Sequence, residues 1–148
     1  MKILVCVDGS EQSKKALEEA ALIAEGCKAS EVALIHVYEP RIDMFYSYEG
    51  ITPEQMDLFR EMRENQKKEA EKILSEALKF LEGKNLKTRT ILKEGHPSRT
   101  IVEVAREEGF DMIVLGSRGL GGLKRLFLGS VSNAVLQEAH EGSVLIVK

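Results

Sequence analysis

The chain has 148 residues, 43% of them hydrophobic and 30% charged, with a formal net charge of -3. That length suits one domain, 1–148, with a single sizeable core, and the acidic balance gives no footprint for a nucleic-acid backbone. Met1 to Val7 is too short an apolar run for a signal peptide, and no stretch approaches the roughly 20 apolar residues of a membrane span. The expectation is a cytoplasmic protein with neither nucleic acid nor membrane as partner.

Ile3 to Val7 predicts a first strand, closing in Val7-Asp8-Gly9-Ser10. Ser10 is a good N-cap for a helix that carries Ala16, Leu17, Ala20, Ala21, Ile23 and Ala24 inward and stops at Gly26. The two cysteines, Cys6 and Cys27, read as free thiols acting as small apolar residues. Val32 to Val37 predicts a second strand. The segment from Tyr38 to Tyr48 holds all three tyrosines and Phe45, and reads as a lid, a subunit contact, or packing onto the next helix. That helix runs from Pro53 to Leu81, with Met56, Phe59, Met62, Ala70, Ile73, Leu74, Ala77, Leu78 and Leu81 on one side. Thr88 to Leu92 is a third strand, Gly95-His96-Pro97 a turn, and a third helix follows Pro97-Ser98. Met112 to Leu115 is a fourth strand, the helix after Gly129-Ser130 carries Val131, Ala134, Val135 and Glu138, and Val144 to Val147 closes the chain as a fifth strand.

Strict alternation of strand and helix with near-continuous apolar strands implies an α/β fold: a doubly wound, five-stranded parallel sheet with helices on both faces. Ligands in such sheets bind outside the carboxyl ends of the strands, where strand order reverses. Asp8 to Ser10, Tyr38 to Pro40, Gly95 to Pro97 and Gly116 to Gly119 all follow strands at that edge.

The stretch from Gly116 to Ser132 carries the most chemistry. Glycines let a ligand approach bare main chain, and the helix opening at Gly129-Ser130 offers unpaired N–H groups and the positive end of its dipole, so the stretch suits phosphate. It is not a Walker loop, since Gly121 is followed by Gly122 and Leu123 where Lys is needed, and Val7-Asp8-Gly9-Ser10 lacks the dinucleotide fingerprint. A phosphoacceptor receiver needs an acidic pair after the first strand and an Asp after the third; Asp8 stands alone and Lys93-Glu94 occupy the latter place. His36, His96 and His140 are too scattered for a histidine metal site. Arg118, Lys124 and Arg125 read as phosphate-neutralising charge or as solvated surface.

Taken together the chain resembles the universal stress protein family over its full length. Gly116, Gly119, Gly129 and Ser130 match the G-x2-G-x9-G-S/T pattern of the family's nucleotide-binding subgroup, and Ser132 matches a further frequent serine. Val7-Asp8-Gly9-Ser10 resembles the opening motif, Leu34-Ile35-His36-Val37 the second strand, Glu94-Gly95-His96-Pro97 the third-strand turn, and Ser143 to Val147 the closing strand. The resemblance implies a Rossmann-like, adenine nucleotide alpha hydrolase-like sheet binding ATP. It places Asp8 and the main chain around Val37 near adenine and ribose, with Gly9 and Ser10 among the nucleotide-binding residues. Gly116, Arg118 and Gly119 fall near ribose and phosphates, and Gly129, Ser130, Val131 and Ser132 at the phosphates. It further implies a divalent cation, Mg or Mn, held through those phosphates, and a homodimer through the last strand.

No residue reads as catalytic. Fast hydrolysis needs a positioned water, a metal and an orienting group, and no motif supplies them. The expected function is a nucleotide-dependent regulatory or stress-response protein, with slow or partner-dependent hydrolysis at most. The alternatives are an ATP-using enzyme, which lacks the His-x-Gly-His and Ser-Gly-Gly-x-Asp-Ser signatures of nucleotidyl transfer, and a nucleotide-free interaction module.

Overall fold

The computed structural model describes residues 1–39, 52–120 and 128–148. Nine elements alternate along the chain: β1 (Lys2–Cys6), α1 (Glu11–Gly26), β2 (Glu31–Tyr38), α2 (Pro53–Leu81), β3 (Thr88–Glu94), α3 (Pro97–Glu107), β4 (Met112–Gly116), α4 (Ser130–Glu138) and β5 (Ser143–Val147). The sheet runs β3-β2-β1-β4-β5, and every pairing is parallel. The chain steps outward from β1 to β3, then returns to place β4 on the other side of β1. The reversal lies between β1 and β4, which is where a doubly wound sheet opens a crevice.

Residue parity decides the two faces. Ile3, Val5, Val32, Leu34 and Val114 share a core with Ala16, Leu17, Ala20, Leu74 and Leu81 of α1 and α2. Leu4, Ala33, Ile35, Ile113 and Leu115 share the other with Ile101, Val104 and Val135 of α3 and α4. Ile3, Leu4, Val5 and Leu34 are fully buried. Removing each such side chain from water contributes about 1.5–3 kcal/mol, so adjacent β1 residues serve opposite cores.

The bounds of α2 are those its periodicity predicts, but its first half does not pack as expected. Met56 and Met62 are 41% and 46% exposed, and among the described side chains from Pro53 to Glu69 none is buried. Length is the reason: 29 helical residues span about 44 Å, whereas the eight residues of β2 span about 26 Å. Buried side chains begin only at Ala70; before it the helix reaches the sheet through Arg63, whose guanidinium pairs with Glu94 at the end of β3. At the end of α1, Gly26 is the last helical residue, and the left-handed conformation falls on Lys28, with φ of 52°.

Both cysteines are free. Tyr38 ends β2 and donates to Glu94; the rest of the aromatic segment, and Lys124 and Arg125, lie outside the described residues. No helix among those residues is long and apolar enough to cross a membrane.

Candidate functional site

A cleft of about 360 Å³ opens at the carboxyl ends of β1, β2 and β4. Its floor is apolar: Cys6, Ile35, Val37 and Leu115 from the strands, with Pro97 and Ile101 of α3 and Val131 of α4. Its rim is polar: Asp8 and Ser13 on one side, Gly116, Arg118 and Gly119 beyond β4, and Gly129, Ser130 and Ser132 at the start of α4. Among the described lining residues Arg118 is the only Lys or Arg, and Asp8 the only carboxylate.

The helix starts differ in a way that points at this cleft. The Ser10 hydroxyl caps α1 by accepting from the Ser13 N–H, and Thr52 and Gln55 form a reciprocal capping box on α2. In contrast α3 and α4 begin at His96 and Gly129 with no side-chain cap, and both starts border the cleft. At α4 the Gly129 N–H donates to the Ser117 carbonyl at 2.7 Å, and the first intrahelical bond is Asn133 N–H to Gly129 C=O. The N–H groups of Ser130, Val131 and Ser132 are left without partners among the described residues. Three orphan donors at the positive end of a helix form an anion receptor.

At the base of the cleft the ladder of β2 outruns that of β1. The Val7 N–H donates to Ile35 C=O and the Gly95 N–H to Tyr38 C=O, so odd residues of β2 turn their main chain toward β1 and even ones toward β3. The next odd residue is Val37, opposite a strand that has already ended at Cys6. The Val7 carbonyl that would continue the ladder instead lies 2.6 Å from Nδ1 of His36. A carbonyl only accepts, so Nδ1 carries the proton and donates. Val37 thus presents one main-chain donor and one acceptor, side by side, to the cleft.

Asp8 is held in an Asx turn: Oδ1 accepts from the Ser10 N–H at 2.9 Å. Oδ2 is directed at Gly119, where a Cβ would stand 2.6 Å away. Gly116 is required for a different reason, because a Cβ there would meet the main chain of Gln12 at 2.7 Å. It lets the first turn of α1 seat against β4. Burial, with the Asp8 carboxylate adding to it, pushes the Cys6 thiol up to about 12, so it stays a neutral part of the floor.

Comparison with known proteins supplies the decisive observation. The universal stress protein family profile matches residues 1–148. The chain belongs to the universal stress protein family. It is 39% identical over 136 residues to universal stress protein YxiE of Bacillus subtilis, covering 92% of this chain and 91% of that one. To universal stress protein MJ0577 of Methanocaldococcus jannaschii it is 31% identical, covering 99% and 94%. The solved structure of MJ0577 superposes with a TM-score of 0.83 at 32% identity over 99% of this chain and 94% of that one. A universal stress protein solved in complex with cAMP is 25% identical, with a TM-score of 0.66 over 99% of this chain and 95% of that one.

Set against the family pattern, nine of the eleven residues expected at the site line one cleft: Asp8, Val37, Gly116, Arg118, Gly119, Gly129, Ser130, Val131 and Ser132. Gly9 and Ser10 do not. Gly9, with φ of +81°, borders a separate crevice between α1 and α2, and the buried Ser10 is spent on capping. Sequence reading placed the Gly95 to Pro97 turn at this edge but missed the rest of the floor, formed by Cys6, Ile35, Ile101 and Leu115. Their signal was parity: Ile35 and Val37 are alternate residues of one strand, and Cys6 shares their face. His36 lines the cleft with Nδ1 engaged, while His96, exposed, pairs with the Ser98 hydroxyl at 3.3 Å.

Proposed function

We propose that this universal stress protein, as one domain over 1–148, binds ATP in the cleft and works as a nucleotide-dependent regulatory or stress-response protein. The observation that carries the reading is the pairing of two complementary ends in one cleft. One end has the three N–H groups of α4 that lack partners among the described residues, beside Arg118. The other has an apolar slot edged by the donor and acceptor of Val37. A Val37 carbonyl accepting from the adenine amino group, and its N–H donating to the neighbouring ring nitrogen, suit adenine; the same edge of guanine presents the reverse order and is rejected. The second oxygen of Asp8, directed at Gly119 across the rim, is the acceptor to which ribose hydroxyls would donate. The related complex with cAMP supports an adenine nucleotide as ligand.

A divalent cation, Mg or Mn, would be carried by the phosphates themselves: no group of three His, Cys, Asp or Glu side chains is arranged to hold an ion among the described residues. It would neutralise phosphate charge beside Arg118. Hydrolysis is slow or depends on a partner, since the described groups around the phosphate end are main-chain donors, hydroxyls and Arg118, with no base among them.

We further assign a homodimer to β5. The outer edge at β3 is guarded by Arg89, Lys93 and Glu94, whereas β5 reads Ser-Val-Leu-Ile-Val without a charge. An uncharged apolar edge invites pairing with its own copy. The test of the nucleotide reading is extraction of any nucleotide carried by the purified protein, followed by calorimetric titration of stripped protein with ATP and magnesium. Recovered ATP, or saturable binding, is expected; stripped protein without affinity would overturn the reading in favour of an interaction module.

A further inference from the structure

The serine that closes the family pattern is committed elsewhere than to a ligand. Ser132 is 3% exposed, and its Oγ lies 3.0 Å from both the Ser117 and the Gly129 carbonyl oxygens. A hydroxyl has one proton, and carbonyls take only donors, so that proton is already given inside the protein. Phosphate oxygens also need a donor. Ser132 therefore reaches a phosphate only by breaking the bonds it makes. Ser130, by contrast, is exposed, and its hydroxyl has no partner among the described residues.

The main chain of Ser117 is the shared post. Its carbonyl takes the Gly129 N–H at 2.7 Å and the Ser132 hydroxyl at 3.0 Å, and its N–H donates to the Val147 carbonyl at 2.6 Å. The main chain of one residue thus ties the exit of β4 to the last residue of β5 and to the first turn of α4. Gly129 fits against the same post, its missing Cβ being 3.5 Å from the Ser117 oxygen and 3.5 Å from Ser132 Oγ. What the post holds is the orientation of the three N–H groups that end the cleft.

Resting on the nucleotide reading, we propose that the Ser132 side chain has a positioning role: its hydrogen bond to the Ser117 carbonyl aims the N–H groups of Ser130, Val131 and Ser132 at the phosphates, which the hydroxyl itself does not touch. The role is felt by the phosphate end of a ligand and is built into the protein before any ligand arrives.

The test compares the unmodified chain with Ser132→Ala, Ser132→Cys and Ser132→Thr, titrating each with ATP and with adenosine and following exchange of the Gly129 amide in ligand-free protein. The Cys variant keeps the volume but donates weakly, so it serves if the Ala variant does not fold. Ser132→Ala or Ser132→Cys is expected to weaken ATP about tenfold while leaving adenosine within about twofold. The Gly129 amide should exchange faster without ligand, and Ser132→Thr should restore both. Equal losses for ATP and adenosine would overturn the proposal by making Ser132 a general structural residue. Weakened ATP with unchanged Gly129 exchange would overturn it by making Ser132 a direct contact. An unmodified chain that binds neither compound overturns the nucleotide reading itself, and is told apart because it precedes any substitution.

Discussion

The carboxylate of Asp8 and the bare α-carbon of Gly119 lie against one another: a Cβ on Gly119 would stand 2.6 Å from Asp8 Oδ2. The absent side chain keeps that oxygen in place and open to the cleft. Gly119→Ala should raise the Kd for ATP at least about tenfold, roughly 1.4 kcal/mol, by turning Asp8 aside. Gly119 is exposed and needs no left-handed φ, so the melting temperature should move by no more than about 2 °C. Calorimetry and a thermal scan check both halves, and unchanged affinity would remove Asp8 from the ligand.

Gly129→Val acts on the loop rather than by filling the cradle. A Cβ at that position meets the Arg118 Cα at 3.3 Å, and the two methyls beyond it push the main chain leaving β4. The φ of -63° at Gly129 accepts any residue, so the helix itself survives. ATP binding should fall by about a hundredfold, near 2.7 kcal/mol, with the far-UV circular dichroism retained. A folded variant with native affinity would place the phosphates elsewhere.

The part of the cleft lined from Gly116 to Ser132 was legible because it is local: it is one stretch of chain whose glycines and helix start announce themselves. The apolar floor was not, because Cys6, Ile35 and Leu115 come from three strands, and only the order β2-β1-β4 makes them neighbours. Gly116 shows the limit from the other side. Its place in the motif suggested ligand contact, whereas its bare Cα also serves the packing of Gln12. Helical periodicity likewise placed Met56 and Met62 on the inward stripe of α2, since a repeat of 3.6 carries no information on where the sheet beneath it ends.

The Cys6 thiol should be slow to react and should mark the alkaline limit of the fold. At pH 8, iodoacetamide should modify the exposed Cys27 well before Cys6. With its thiol pushed up to about 12, Cys6 keeps its proton in the folded state while the unfolded chain loses it above about 8.5. Stability therefore declines as pH rises between those values, by at most about 1.4 kcal/mol per pH unit from this group. Denaturation midpoints across pH 8 to 11 should fall less steeply in Cys6→Ala, and identical slopes would refute the assignment.

Arg89 clasps the amino-terminal end of the sheet. Its guanidinium donates to Glu31 and Glu108 and lies over the Phe110 ring at 5.7 Å, with Lys2 over the same ring at 4.7 Å. The hydrogen bond from Arg89 holds the Glu31 carboxyl below the usual carboxylate range. A depressed carboxylate stabilises above its unfolded value and loses that contribution as pH falls through the folded one. The Arg89 side chain is 39% exposed, so solvent screening limits the effect to about 0.5–1 kcal/mol. Arg89→Met should cost that much at pH 7 in a urea titration, and the gap should close toward pH 3.

Ile146→Pro separates the two sides of β5. The Ser143 N–H donates to Asp111 and the Val147 carbonyl accepts from Ser117, so odd residues bond to β4 and even ones face outward. Proline at 146 removes an outward N–H and leaves the inner ladder intact. The variant should sediment as a monomer where the parent sediments as a dimer, and a dimer surviving the change would move the interface off β5.

Two helices of this protein finish their own first turns, and two wait for something to finish them. A start without a cap is a standing loss of stability that an arriving anion cancels, and a ligand present at a hundred times its Kd adds about 2.7 kcal/mol to the folded state. Proteases in the cell draw on the unfolded fraction. If the cleft holds ATP as proposed, the lifetime of the protein would lengthen when ATP is plentiful and shorten when it runs low, so its abundance would register the energy supply even without any downstream partner.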